Sequence, residues 1–345
     1  MRRARNAQGA QEAVFGPLAM TTGDLASPAI RIPNPESRIP SLSVEVAGIK
    51  FAHPVLAAPG PLGFGREVQS VVDLPGFAAF VTKSVTLDPR PGHPYPQVVP
   101  TVGGWLNSQG LPNHGLAGFV TKDLPFLRTL RIPLIVSIAG ETVREFVTLA
   151  EWLSREDGVA AVELNVSCPN VDRGLIFGVD PQLTREVVAA VRAVCTRPLF
   201  VKLTPNVTDI VSIGRAAAEA GADALSLINT LVGLAIDIET RRPKLGAGTG
   251  GLSGPAIRPI AVRMVWEVAR HCQIPVIGMG GIASAQDALE FLIAGARAVA
   301  VGSAVIDRPG VAAEIRAGLE RYLQEHQVHD IVDVIGSVKV TGHGA

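Results

Sequence analysis

The chain has 345 residues, 47% of them hydrophobic, which is enough for one large core. Its 31 Lys and Arg balance 31 Asp and Glu, which argues against nucleic acid or an anionic membrane surface as the main partner. Only three cysteines occur, Cys168, Cys195 and Cys272, and none has CxxC or Cys/His spacing. That excludes a disulfide framework, a structural zinc and a self-contained iron–sulfur site, and it predicts a reducing, cytoplasmic setting with no metal.

Residues 1–38 read as an N-terminal arm, with Pro28, Pro33 and Pro35 near its end and Pro40 just beyond. The basic start Met1-Arg2-Arg3-Ala4-Arg5 is not followed by an apolar run before Asp24, so it does not match a signal peptide. No stretch has the length and apolarity of a membrane span. One domain is expected over 39–330, with 331–345 as a C-terminal tail. It opens with 41–51 (SLSVEVAGIKF), which alternates around Ala47-Gly48 and predicts a hairpin.

Eight short apolar runs follow in order: 55–59 (VLAAP), 78–83 (AAFVTK), 134–138 (LIVSI), 161–166 (AVELNV), 199–203 (LFVKL), 224–228 (ALSLI), 275–279 (PVIGM) and 298–302 (AVAVG). Between them lie helical patterns at 142–154, 181–194, 209–220, 258–272, 285–294 and, after the last run, 311–324. Asp180-Pro181 is an N-cap followed by a first-turn proline, and Gly221 and Gly295 sit where helices close. Apolar strands alternating with helices predict a parallel sheet covered by helices. Eight units predict an α/β fold closed as a (β/α)8 TIM barrel. The segment Gly60-Pro61-Leu62-Gly63-Phe64-Gly65 does not match the GxGxxG of an open dinucleotide-binding sheet. Two long connections, 84–131 and 231–254, are expected as insertions over the C-terminal mouth, where barrels carry their chemistry.

The strand ends are polar. Lys83 ends the second run, Asn165 to Asn170 the fourth, Lys202 the fifth, and Asn229-Thr230 the sixth. Two lysines buried there without partners would be costly, so they imply an anionic or electron-rich ligand. The amides of Asn107, Asn165, Asn170 and Asn229 suit a planar heterocycle with alternating NH and C=O edges. Glycines after the seventh and eighth runs (Gly278, Gly280, Gly281 and Gly302-Ser303) stand where barrels hold a phosphate, and Gly250 to Gly254 adds further donors. Cys168 lies just past a strand end beside Pro169, where a thiol can take a proton; Cys195 and Cys272 read as small buried hydrophobes. His53 belongs to the opposite face and His93 to a proline-rich loop, while His114 in the insertion stays open as a competing base.

An ordered series of motifs runs from about residue 41 to about 322: VTKSVTLDPRPGHP, GWLNSQGLPNHG, VELNVSCPN, VKLTPNVTDI, LINT, GGLSGPA, IGMGGI and AVAVGSA. It resembles the class 1 dihydroorotate dehydrogenases, most closely the class 1B catalytic (FMN) subunit. That resemblance implies FMN in this chain and oxidation of (S)-dihydroorotate to orotate in de novo pyrimidine (UMP) biosynthesis. Lys83 then lies between FMN and substrate; Asn107, Gly110, Leu111, Asn165, Asn170, Asn229 and Thr230 hold the substrate. Cys168 resembles the base, where membrane-bound class 2 enzymes use serine. Lys202 faces the flavin, and Ala58, Gly60, Ser84, Asn165, Ile228, Ser253, Gly254, Gly280, Gly281, Gly302 and Ser303 contribute to the cofactor cradle.

Departures from the family pattern fall at Pro59, where a small polar residue is commoner, and in GLPNHG, where Pro112 and His114 replace glutamine and proline. DRGLIFG, after Pro169-Asn170-Val171, is less glycine-rich than usual. The resemblance further implies a homodimer paired with an electron-transfer subunit carrying FAD and [2Fe–2S], a heterotetramer that delivers electrons to NAD. A fumarate-dependent class 1A homodimer is the first alternative. A uracil- or thymine-directed reductase is the second; such relatives carry histidine in the position of Asn170. A ligand-binding scaffold barrel without activity is the third.

Overall fold

The computed structural model describes residues 40–166 and 176–339. The hairpin comes first. Val44–Val46 and Ile49–Phe51 pair antiparallel, and the turn places Ala47 at φ 50° and Gly48 at φ 79°. Positive φ at both turn residues matches the twist of the flanking strands. Val44, Val46 and Phe51 are buried in the main core.

Eight parallel strands then close into a barrel: β1 Val55–Ala57, β2 Phe80–Val81, β3 Leu134–Ile138, β4 Val159–Asn165, β5 Leu199–Lys202, β6 Ala224–Leu227, β7 Val276–Met279 and β8 Ala298–Val301. Each pairs with its neighbour in sequence, and β8 returns to β1. This is the (β/α)8 barrel that the eight runs predict. Several ladders are shorter than their runs because the flanking backbone bonds elsewhere. Lys83 N–H, for example, donates to Gly63 O at 3.1 Å, outside the β2 ladder.

The helices between and after the strands are α1 Val143–Arg155, α2 Pro181–Arg192, α3 Ile210–Glu219, α4 Arg258–His271, α5 Ala285–Ala294 and α6 Val311–Glu325. Side-chain caps start four of them. Thr142 accepts from Glu145 N, Asp180 from Gln182 N and Leu183 N, Asp209 from Val211 N and Ser212 N, and Ser284 from Asp287 N. Each cap satisfies helix N–H groups that have no partner inside the helix. Gly295 closes α5 in the left-handed conformation at φ 116°. Phe146, Leu149, Ala150 and Leu153 form the buried face of α1. Burying such a side chain contributes roughly 1.5–3 kcal/mol.

The two insertions share one feature that their separate sequences do not announce. Strands Val98–Thr101 and Gly104–Asn107 from the first, and Leu231–Gly233 and Gly250–Ser253 from the second, form one four-stranded antiparallel sheet. Glycine makes the close approach possible. A Cβ at Gly104 would lie 1.9 Å from Ser253 O, and one at Gly251 would lie 1.9 Å from Thr230 Oγ1.

The packed body runs past the boundary expected at 330. Ile331–Val334 forms a 3-10 turn with Ile331 and Val334 buried, while Ser41 bonds both His329 O and Ile331 N. An apolar pair in IVDV draws this segment onto the core, so a tail beginning at 331 is corrected to a later start.

Candidate active site

Strand register assembles the polar centre. Asn165 on β4 lies beside Lys202 on β5, and Lys202 lies beside Ser226 on β6. Neighbours in a parallel ladder point to the same side, so one row of polar side chains crosses three strands near their C-terminal ends. Lys202 and Glu163 are 4% and 1% exposed, and Lys202 Nζ stands 3.4 Å from Glu163 Oε1. That distance makes an ion pair without hydrogen-bond geometry, which leaves Oε1 buried and otherwise unbonded. Ser226 donates to the other oxygen, Oε2, at 2.7 Å. Such a pair must be kept whole, because either charge left alone in this interior is strongly destabilising.

A chain of amides and hydroxyls continues from it. Asn229 Nδ2 donates to Asn165 Oδ1 at 3.2 Å, and Asn165 Nδ2 donates to Ser84 Oγ at 2.9 Å. Ser84 Oγ is 3.0 Å from Ser137 Oγ. Thr230 N–H donates to Asn229 Oδ1 at 2.8 Å, and Asn206 Nδ2 donates to Thr230 O at 3.1 Å. Each amide is thereby fixed in orientation before any ligand arrives. On the β2 side, Lys83 Nζ donates to Gln109 Oε1 at 2.5 Å. Burial pushes the Lys83 ammonium down to about 8, with the Glu67 carboxylate partly opposing that shift.

These groups surround a cavity of about 1190 Å³ that opens to solvent at the mouth. Of the sequence-predicted residues, Ala58, Gly60, Lys83, Ser84, Asn107, Leu111, Asn165, Lys202, Ile228, Asn229, Thr230, Ser253, Gly280, Gly281, Gly302 and Ser303 line it. Two others do not. Gly110 is buried against His93, where a Cβ would meet the imidazole at 2.4 Å. Gly254 instead borders an adjoining hollow of about 800 Å³, together with Gly103, Trp105 and Gly281. Its φ of 106° and the nearness of Gly104 Cα, 2.6 Å from a would-be Cβ, explain the glycine by packing. Cys168 and Asn170 lie outside the described residues.

Among the described residues no histidine lines the cavity. His53 Nδ1 accepts from Val55 N at 3.3 Å, at the start of β1. His93 Nδ1 is 2.9 Å from Ser108 Oγ, and His114 Nδ1 is 3.0 Å from Asp123 Oδ2. His114 therefore faces the insertion's own helix instead of the cavity. Cys195 and Cys272 are buried, as expected for structural thiols. Gln109 and Glu163 were not anticipated from the sequence. Their spacing offers a signal in retrospect: Gln109 is two residues from Asn107, and Glu163 is two before Asn165 on the same strand face.

The comparisons with known proteins meet this geometry. The family described as "Dihydroorotate dehydrogenase" matches residues 41–323. The chain belongs to the dihydroorotate dehydrogenase family. It is 52% identical over 302 residues to "Dihydroorotate dehydrogenase B (NAD(+)), catalytic subunit" of Geobacter sulfurreducens, covering 87% of this chain and 99% of that one. The protein of the same name from Desulforudis audaxviator is 52% identical over 301 residues, with 87% and 98% covered. A solved structure, "Crystal structure of DHODH in complex with ferulenol from Eimeria tenella", aligns with a TM-score of 0.71, 24% identity and coverage of 88% and 89%. At that identity the likeness speaks for the fold.

The cavity fits a flat cofactor bearing a phosphate, as this family requires. Gly60, at φ 115°, has no heavy atom within 4 Å of where a Cβ would stand, so open space reaches its backbone. Gly280 and Gly281, at φ 125° and 79°, follow β7, and Gly302 and Ser303 follow β8; all four line the cavity at the barrel position that commonly binds a phosphate. Ile228, Ile257, Met279 and Ile306 supply apolar wall, and Lys202 supplies buried positive charge. No helix among the described residues is long and apolar enough to cross a membrane.

Proposed function

We propose that this chain oxidises (S)-dihydroorotate to orotate in cytoplasmic pyrimidine nucleotide synthesis, holding FMN at the barrel mouth. Electrons would leave through a partner subunit carrying FAD and [2Fe–2S] and reach NAD, with two copies of each chain in a heterotetramer. The observation that carries the reading is the convergence of Lys83, Lys202 and the Asn107, Asn165 and Asn229 amides on one glycine-walled cavity. The names of the relatives at about half identity support the NAD-linked form and a second subunit.

FMN held at this mouth would supply the hydride acceptor that amino-acid side chains lack. The chain's own residues do the rest. The three asparagines match the alternating donors and acceptors of the pyrimidine ring and hold it in one orientation. Lys83 offers its ammonium to the ring carboxylate, and desolvation strengthens that contact. Cys168 Sγ takes the C5 proton, a role assigned through its place in VELNVSCPN. The sheet built from the two insertions borders the mouth, with Trp105 and Leu111 on the cavity wall, and its closing over bound substrate would exclude water. Gly60, Gly280, Gly281, Gly302 and Ser303 hold the cofactor's ribityl chain and phosphate.

The test is anaerobic mixing of the yellow protein with dihydroorotate, followed by NAD, fumarate or quinone in turn. Bleaching of the flavin band by dihydroorotate is expected. Recovery with NAD only when the partner subunit is present supports the NAD-linked form; recovery with fumarate by this chain alone replaces it with the fumarate-dependent one. Bleaching by a reduced uracil-type ring in place of dihydroorotate, or no flavin at all, rejects the substrate assignment.

A further inference from the structure

Gln109 is a cavity-lining residue that the site described above leaves without a task. It follows the strand Gly104–Asn107, and its backbone is fixed on both sides. Gln109 O accepts from His93 N at 2.9 Å, and the next two residues, Gly110 and Leu111, have φ of 71° and 53°. Ser108 beside it is 2% exposed and donates its N–H to Gln97 O at 2.8 Å. Gln109 Oε1 takes the Lys83 hydrogen bond at 2.5 Å, joining the first insertion to the end of β2.

The chemistry of that bond dictates which way the amide faces. A lysine ammonium has three donors and no acceptor, so it can meet only the carbonyl end of Gln109. The NH2 end is then turned away from Lys83, and among the described residues no protein acceptor takes its hydrogens. A pair of donors and an ammonium thus belong to two residues of one cavity wall, which Asn107 and Leu111 of the same segment also line. This arrangement complements an anionic, oxygen-bearing edge of a ring. A neutral ring with hydrogen at that position leaves the donors unmet, and unmet buried donors are how sites reject close analogues.

We infer that Gln109 is a specificity and positioning residue: it holds the Lys83 ammonium at the rim and directs its own NH2 to the carboxylate-bearing edge of the substrate ring. This deepens the dihydroorotate reading and rests on it. The link also runs through protonation. Desolvation lowers Lys83 and the Glu67 carboxylate opposes it; an accepted hydrogen bond also favours a charged donor, so the Gln109 carbonyl acts in the same direction as Glu67. Removing the carbonyl therefore lowers the pH at which the ammonium is lost.

The test uses the FMN-loaded chain and its flavin difference spectrum. In Gln109→Met, which keeps length and removes both polar atoms, orotate affinity should fall about 10- to 100-fold, the range for losing a hydrogen bond to a charged group. Uracil affinity should change less than threefold. The alkaline loss of orotate binding should move to lower pH, and KM for dihydroorotate should rise more than kcat falls. Gln109→Glu, which puts a carboxylate where the NH2 stood, should weaken orotate more than Gln109→Met does. Gln109→Asn, which retains the amide, should recover part of the loss and serves if Gln109→Met fails to retain FMN. Equal weakening of orotate and uracil, or an unmoved pH profile, overturns the inference. If dihydroorotate fails to bleach the wild-type flavin, it is the substrate reading that fails, and this outcome is distinct from wild-type bleaching with an unaltered Gln109→Met.

Discussion

At the end of the barrel where β1 begins, the buried polar group is His53, and at the end where β4 and β5 finish, it is the Glu163–Lys202 pair with its row of amides. The first end copes with burial by giving up charge. Desolvation, helped by Arg316, lowers His53 from 6.5 to about 4, so it is neutral at physiological pH. The surrounding surface is apolar, with Val44, Val46, Phe51 and Ile331 in the core. The second end copes by pairing charge with charge and tying Asn107, Asn165 and Asn229 to protein partners. The same eight strands serve both ends, so the difference lies in which side chains each end can satisfy. A buried Lys202 and a half-buried Lys83 are costly to desolvate. Their presence at one end marks the place where a ligand is to be met.

The contrast can be broken by perturbing each end and asking whether chemistry or stability responds. The largest effect belongs to the mouth. Cys168→Ala should slow flavin reduction by dihydroorotate about 10²- to 10⁴-fold in rapid-mixing absorbance, with FMN still bound and the melting temperature unmoved. A near-normal rate would remove the thiol from the chemistry. Glu163→Gln lies at the same end but touches stability, because Lys202 loses its counter-charge; denaturant titration should register a loss of about 3–5 kcal/mol. No loss would mean that the pair is not held together as the geometry has it.

The other end should respond to acid and not to substrate. An unfolded histidine takes its proton near 6.5, whereas folded His53 resists until about 4. Between those values the unfolded chain binds the extra proton, so acid favours unfolding. This contribution is intact above about pH 6.5 and is lost by about pH 4, and it amounts to roughly 3 kcal/mol. His53→Asn should flatten that part of the stability–pH curve while dihydroorotate turnover keeps its wild-type KM. An unchanged slope would show that other groups carry the acid response. The smallest effect is expected on the outer layer: Asp180→Ala removes the α2 cap and should cost about 1 kcal/mol, with no change in flavin reduction.

Much of the architecture was legible before any coordinates. Eight apolar runs of strand length, most of them followed at once by a polar residue or glycine, leave few alternatives to a parallel barrel, since buried strands need both faces covered. Caps such as Asp180-Pro181 and Gly295 were readable because they act on backbone within a turn. The placement of Lys83, Asn165, Lys202 and Asn229 around one cavity was readable for the same reason: closing the barrel brings every strand end to one rim. The tail boundary at 330 was misplaced because burial of Ile331 depends on a partner far away in sequence, at Ser41. The close packing of Gly110 against His93 and of Gly254 against Gly104 leaves no room for a Cβ, a constraint that only the folded chain displays.

The amino-acid sequence by itself determined the count and order of the strands, the polar character of their C-terminal ends and the family to which the chain belongs. Those properties rest on local periodicity and on short motifs. Only the tertiary structure decided that the two insertions pair in one sheet, that Glu163 neutralises Lys202 and that Gln109 grips Lys83. Each of those contacts joins residues whose distance along the chain carries no signal. Their energies come from removing charges and amides from water together, and that happens only once the barrel has closed around them.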